Sequence, residues 1–335
     1  MPLITLIPGD GIGPDIMECA RRVIDATGVD ITWEEVSAGE SSFQATGNPL
    51  PEETLRSIRE NHVAFKGPTA TPLGIGFRSI NVALRQEFDL YANVRPAHAF
   101  PGVDCLYPDL DIVMIRENTE GLYSSMEHWI GEGHAAAIGI GVNTWRGMER
   151  ICRFGFQYAR DNDRKKVTAV HKANILKKLS GLFLEVSREI AGDFPDIEFE
   201  ERIVDAMAMQ MVRDPHQFDV IVSTNLFGDI LSDLAAGLVG GLGLAPGANI
   251  GTEGAIFEAV HGSAPDIAGK DLANPGSVIL AGVMMLRYLG FQEEGGRIER
   301  ALTAVLLEGN TVTPDIKPDS GVGTRAMTEA ILAKM

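Results

Sequence analysis

Short, nearly continuous apolar runs alternate along this chain with longer amphipathic stretches. Leu3–Ile7 precedes Asp15–Ala26, Ile31–Val36 precedes Glu52–Glu60, and Val63–Lys66 follows. The short runs have strand length and β-branched content, and the long ones space apolar side chains along one helical face, so strand and helix are predicted to alternate. Farther on, Asp111–Ile115, Lys166–Val170, Ile197–Ile203 and Asp219–Ser223 read as strands, with helices beginning near Trp145, Ala173, Asp205 and Gly228. After Ile250 the chain reads as loop through Pro275. Helical stretches follow at Ser277–Leu289 and Arg297–Leu307, with a closing helix from Gly323. The order predicts an α/β fold with mixed sheets and helical cover.

Composition narrows the class. With 335 residues, 45% hydrophobic and 22% charged, the chain is long enough for two domains, or for one large unit with an inserted lobe, and its make-up is that of a globular protein. A formal charge of −17 repels a polyphosphate backbone, which argues against nucleic-acid binding and makes any local cluster of Arg or Lys informative. Cys19, Cys105 and Cys152 are odd in number, far apart and without a C-x-x-C pair, which fits a reducing compartment, the cytoplasm by default. The amino end has no basic region before its apolar residues, and the apolar stretch from Val278 is cut by Arg287, so neither a secretion signal nor a membrane span is expected.

Gly9, Gly11 and Gly13 stand between a strand and a helix, where a dinucleotide fold would place G-x-G-x-x-G. The spacing fails at Pro14, and Gly241 and Gly243 fail likewise at Pro246. A tight turn is the simpler reading of Gly9–Gly13, and the fold is expected to lack a Rossmann motif.

Three groups of residues carry candidate chemistry. Asp229 and Asp233 are four apart where a strand passes into a helix, so their carboxylates share a face and suit Mg²⁺ or Mn²⁺; taken alone, they fit a helix cap and a first-turn acid as well. Arg78, Arg85, Arg95 and Arg116 form a cationic set suited to a substrate with two or three carboxylates, although any one of them fits a surface ion pair. Arg116 ends a strand, where α/β folds place their sites, and Lys172 follows another strand in His171–Asn174. Beside a metal and arginines, a Lys there would be a candidate base. In Glu258–Asn274, small residues beside His261 and Asp266 make a loop that adenosine could approach closely, with Asp266 accepting from the ribose and repelling a 2′-phosphate. An ordinary Asx turn fits the same residues.

Taken in order, Ile7–Pro14 (IPGDGIGP), Lys66–Pro68, Asn93–Pro96, Arg116–Tyr123 (RENTEGLY), His171–Asn174 (HKAN), Asn225–Asp233 (NLFGDILSD), His261–Pro265 (HGSAP) and Asn274–Pro275 resemble the β-decarboxylating dehydrogenase family. That family contains isocitrate, isopropylmalate, homoisocitrate and tartrate dehydrogenases. The likeness spans nearly the whole chain. It implies a large nucleotide-binding domain at 1–98 and 250–335, a small domain at 99–249, and a dimerisation clasp at about 123–145 that makes a homodimer with shared active sites. It further implies that Arg85, Arg95 and Arg116 bind substrate carboxylates and that Tyr123 protonates the product enol. Lys172 from the neighbouring subunit would be the base. Asp229 and Asp233 would hold Mg²⁺ or Mn²⁺ with Asp205 of the other subunit. Thr71, His261, Gly262, Ser263, Ala264, Pro265, Asp266, Ile267 and Asn274 would bind the cofactor.

Within the family, Ser79 and Asn81 resemble the residues with which isocitrate enzymes bind the γ-carboxylate, in a segment, 71–85, that varies with the substrate. Asp266-Ile267 stands where NADP-using relatives carry Lys-Tyr, which implies NAD. The expected function is therefore the NAD-dependent oxidative decarboxylation of isocitrate to 2-oxoglutarate, a step of the tricarboxylic acid cycle. The alternatives are homoisocitrate dehydrogenase, whose substrate is one methylene longer, then 3-isopropylmalate dehydrogenase. A non-catalytic regulatory subunit is a further alternative, but it would be expected to lack one or more of Tyr123, Lys172, Asp205, Asp229 and Asp233, and all five are present.

Overall fold

The computed structural model describes residues 1–70 and 79–335. Among them the strands run β1 (Leu3–Ile7), β2 (Thr32–Glu35), β3 (Val63–Lys66), β4 (Ala92–His98), β5 (Asp111–Glu117), β6 (Gly121–Ile130), β7 (Ala136–Val142), β8 (Lys166–His171), β9 (Glu198–Ile203), β10 (Val220–Ser223), β11 (Pro246–Ile250) and β12 (Ala255–Ala259). The chain divides into two compact units, one of Met1–Phe88, His98–Asp109 and Ala236–Met335, the other of Asp89–Ala97 and Leu110–Ala235. The units exchange short segments, so their limits differ from the expected cuts at 98/99 and 249/250.

In the first unit the strand order is β2-β1-β3-β12-β11, parallel except where β11 runs against β12. That hairpin occupies part of the stretch expected to be loop. Its residues 255–259 are all buried, and Gly251 and Gly254 close the turn with a backbone bond, a local signal that the surrounding glycines and acids mask in the sequence. The helix Gly276–Tyr288 carries ten buried residues, from Gly276 to Leu286, and is wrapped on several sides. Each fully buried Val, Leu or Ile there contributes roughly 1.5–3 kcal/mol. Among the described residues no helix is long and apolar enough to cross a membrane.

The Gly9–Gly13 turn contains no G-x-G-x-x-G cradle. Gly9 and Gly11 take positive φ of 78° and 60°. A Cβ on Gly9 would lie 2.2 Å from the Pro68 carbonyl oxygen and one on Gly11 2.0 Å from that of Ser263, so the glycines serve backbone-to-backbone approach.

In the second unit the order is β4-β5-β10-β8-β9, with β5, β10, β8 and β9 mutually parallel, and β6 and β7 form a separate antiparallel pair. All four parallel strands therefore end at one edge. Two helix starts differ from expectation. The helix expected near Ala173 begins at Leu179, because the amides of Ile175 and Leu176 close a turn onto the Lys172 carbonyl and the Ser180 hydroxyl accepts from the Lys172 amide at 2.7 Å. The one expected near Gly228 begins at Asn225, so Asp229 lies within the helix Asn225–Leu238 and does not cap it.

The helix Trp145–Asp161, capped by the Thr144 hydroxyl, crosses β10 with no room to spare: a Cβ on Gly155 would stand 2.3 Å from Val222 Cγ2. Val222 is 1% exposed and β-branched, so it cannot rotate away. Helix propensity alone would have Gly155→Ala stabilise by about 1 kcal/mol. Overpacking, at roughly 1–3 kcal/mol, should outweigh it, and urea unfolding of Gly155→Ala should show a lower midpoint at unchanged slope.

Candidate active site

The parallel edge of the second unit gathers the charged residues. Arg116 lies in β5, Asn225 follows β10, Lys172 follows β8 and Asp205 opens the helix after β9. Adjacent strands are about 4.8 Å apart, so two steps along the edge separate Arg116 from Lys172 by roughly 10 Å and three separate it from Asp205 by roughly 14 Å. Two distinct charged groups result.

The first group centres on Asp229. Arg116, 1% exposed, donates to Asp229 Oδ1, to Asn225 Oδ1 from Nη2 at 2.7 Å and to the Asn225 carbonyl from Nε at 3.0 Å. Gly228 makes this possible, since a Cβ there would stand 2.7 Å from Arg116 Cγ. Arg95, from β4, donates through one nitrogen to Ser232 Oγ at 2.7 Å, Asp229 Oδ1 at 3.2 Å and Asp233 Oδ1 at 3.5 Å. Tyr123, from β6, donates its hydroxyl to Asp229 Oδ2 at 2.6 Å, with the Arg116 guanidinium 5.0 Å from its ring centroid. Burial first, and then the bond to Asp229, raise the Tyr123 phenol above its usual range, so it keeps its proton at neutral pH. Burial also raises the Asp233 carboxyl, against the pull of Arg95.

Asp229 and Asp233 thus share one nitrogen of Arg95, and hard oxygens already converging on a cation are of the kind a divalent ion takes. Two carboxylates do not complete a coordination shell. Among the described residues no group of three or more His, Cys, Asp or Glu side chains is placed to hold a metal within the one chain. Asp205 pairs instead with Lys172 of its own chain, a contact that lowers the Asp205 carboxyl below its usual range.

In the first unit Arg85 is buried in a charge network. β3 and β12 place Lys66 opposite Glu258, and Lys66 Nζ reaches Glu258 Oε2 at 2.7 Å. Arg85 reaches Asn249 Oδ1 through Nε at 3.1 Å and Glu258 Oε1 at 3.4 Å. Two cations share one buried acid. Burial alone would raise the Glu258 carboxyl, but Lys66, Arg85 and the hydrogen bonds outweigh it and hold it at about 2. Ser79 sits at the amino end of the helix Ile80–Glu87 without a capping bond from its hydroxyl, and Asn81 Oδ1 accepts from Thr69 at 3.2 Å. Thr71 and Arg78 lie outside the described residues.

The loop after β12 turns at Ala264, with φ 38° and ψ 61°, into a short helical turn Pro265–Ile267. Asp266 is exposed there, and burial lowers the His261 imidazole below its usual value. The Ile12 amide donates to the Ser263 carbonyl at 2.9 Å. Asn274 uses its carboxamide inside the fold, donating to Asp315 at 2.9 Å and accepting from the Gly276 amide at 2.8 Å. Asn225 and Ser232, both inside a quoted motif, were assigned no role from sequence, yet they supply acceptors to the two arginines. Only their place beside Asp229 could have signalled it.

The family model described as isocitrate/isopropylmalate dehydrogenase matches residues 3–331. A solved isocitrate dehydrogenase from Methylococcus capsulatus is 59% identical with a TM-score of 0.98, covering 100% of this chain and 99% of that one. The Arabidopsis thaliana protein named isocitrate dehydrogenase (NAD) catalytic subunit 5, mitochondrial, is 49% identical over 328 residues, 98% of this chain and 87% of that one. The Homo sapiens isocitrate dehydrogenase (NAD) subunit alpha, mitochondrial, is 49% identical over 316 residues, 93% of this chain and 85% of that one.

The buried network makes a stability prediction. Glu258→Gln leaves Lys66 and Arg85 buried without their acid and should cost roughly 3–5 kcal/mol in urea unfolding at neutral pH. A carboxyl held at about 2, against a usual 4.5, contributes stability that is present above 4.5 and is lost as pH falls toward 2. The native protein should therefore lose stability more steeply than Glu258→Gln over that window.

Proposed function

This chain belongs to the isocitrate/isopropylmalate dehydrogenase family and is a decarboxylating dehydrogenase, and on that premise we propose that it oxidises isocitrate with NAD to 2-oxoglutarate, CO₂ and NADH. The observation that carries the reading is the convergence of two guanidinium groups, two carboxylates and a protonated phenol around Asp229. Arg95 and Arg116 bind substrate carboxylates, since an anion entering there meets fixed, partly desolvated cations. Arg85 serves a further carboxylate, and Ser79 and Asn81 read the γ-carboxylate that distinguishes isocitrate from isopropylmalate.

Asp229 and Asp233, with the partner subunit's Asp205, would hold Mg²⁺ or Mn²⁺. When bound, the cation would supply Lewis acidity and NAD would supply the hydride acceptor. The partner subunit's Lys172 takes the hydroxyl proton, and Tyr123, whose phenol keeps its proton at neutral pH, delivers one to the enol carbon after CO₂ leaves. Completion by a partner requires at least a homodimer. Support for one is the β6–β7 hairpin, which exposes Leu122, Met126, Trp129, Ile130, Ile138, Ile140 and Val142, more apolar surface than a monomer usually leaves wet. His261, Gly262, Ser263, Ala264, Pro265, Asp266 and Ile267 hold the adenosine half of NAD, and Thr71 and the Asn274 backbone complete that set. The free thiols of Cys19, Cys105 and Cys152 fit a reducing compartment such as the cytoplasm, whereas the plant and human relatives are named mitochondrial.

An absorbance assay for NADH at fixed Mn²⁺ should show the highest kcat/KM with isocitrate. A higher value with homoisocitrate would transfer the reading to that acid, although one methylene separates the two by only about 1–3 kcal/mol. Asp266→Lys with Ile267→Tyr should raise the NADP-to-NAD ratio of kcat/KM, and an unchanged or lower ratio would remove this loop from cofactor choice. Chelation should abolish turnover and Mn²⁺ restore it, while Asp229→Asn should need far more Mn²⁺ for half-maximal rate.

A further inference from the structure

The glycine turn that fails as a dinucleotide motif has another task. The Asp10 side chain, 7% exposed, accepts three backbone amides: Glu40 at 2.9 Å, Ser41 at 2.9 Å and Ala70 at 2.8 Å. Its own amide donates to the Pro68 carbonyl at 2.7 Å. Asp10 therefore pins the chain on both sides of Thr69. Space for this arrangement comes from glycine, because a Cβ on Gly39 would lie 1.9 Å from Asp10 Oδ2 and one on Gly67 2.1 Å from the Pro8 carbonyl oxygen.

Thr69, so fixed, donates its hydroxyl to Asn81 Oδ1 at 3.2 Å. A carboxamide has an acceptor end and a donor end, and turning it over exchanges them. With the oxygen occupied by Thr69, the amide donors are what Asn81 offers to a ligand, and those suit a carboxylate. The opposite orientation would set an oxygen against the substrate's negative charge.

We propose that Thr69 is a positioning residue for substrate choice: its hydroxyl fixes the Asn81 carboxamide with its donors available to the third carboxylate, and Asp10 fixes Thr69. The proposal rests on the reading of Asn81 given above. Valine keeps the shape of threonine and loses the donor, whereas serine keeps the donor.

The test measures KM and kcat for isocitrate and the inhibition constant of malate, which lacks the third carboxylate, in the whole enzyme carrying Thr69→Val, Thr69→Ser, Asn81→Ala or Thr69→Val with Asn81→Ala. A single hydrogen bond predicts a roughly three- to tenfold rise in KM for Thr69→Val with kcat within about twofold. Malate inhibition should not move, Thr69→Ser should restore the isocitrate KM, and the double variant should be no worse than Asn81→Ala alone. If Asn81→Ala impairs isocitrate while Thr69→Val does not, or if the two losses multiply, the proposal is overturned and the reading of Asn81 stands. Equal losses on malate from Thr69→Val would make its role structural and overturn it too. If Asn81→Ala leaves isocitrate unaffected, the reading of Asn81 fails and takes this proposal with it.

Discussion

A guanidinium removed from water must have its charge answered, and in the second unit Arg116 is answered by Asp229. Much of the local architecture serves that contact. β5 carries Arg116 beside Ser223 at the end of β10, the helix after β10 starts early enough to bring Asp229 alongside, and Gly228 removes the Cβ that would block the approach. Asn225 takes two of the remaining donors and Tyr123 completes the second oxygen of the acid. If, as proposed, a substrate carboxylate takes over Arg116 and an ion takes over Asp229, each would loosen the pair for the other.

Much of this was legible in the sequence, for identifiable reasons. β1, β3 and the helix Glu52–Asn61 follow directly from apolar runs and spacing, and the i, i+4 relation of Asp229 and Asp233 survives even though their helix begins three residues earlier than expected. Order of motifs, rather than any one of them, pointed to the family.

What escaped was set by tertiary contact. The strand β12 lies among glycines and acids, yet is buried because β3 accepts it on one side and β11 on the other. The late helix start at Leu179 depends on the Ser180 hydroxyl reaching back eight residues to Lys172. The Asn274 carboxamide is engaged by Asp315 and the Gly276 amide, which no spacing rule foretells. Asp10 likewise gives no hint, in a motif whose glycines draw the eye, that its carboxylate gathers two amides from the start of the helix Glu40–Thr46 and a third from Ala70.

The network of Lys66, Glu258 and Arg85 constrains how this chain can diverge. Neutralising the acid strands two cations, and removing Lys66 alone leaves a polar cavity beside an acid still bound to Arg85. Each single step lies uphill, and replacing Lys66 and Glu258 together by apolar residues still strands the buried Arg85, so only a change that also replaces Arg85 escapes the cost. Lys66, Arg85 and Glu258, the first and last 192 apart in the chain, should therefore change together across descendants of this sequence or not at all, a form of epistasis written by Coulomb's law.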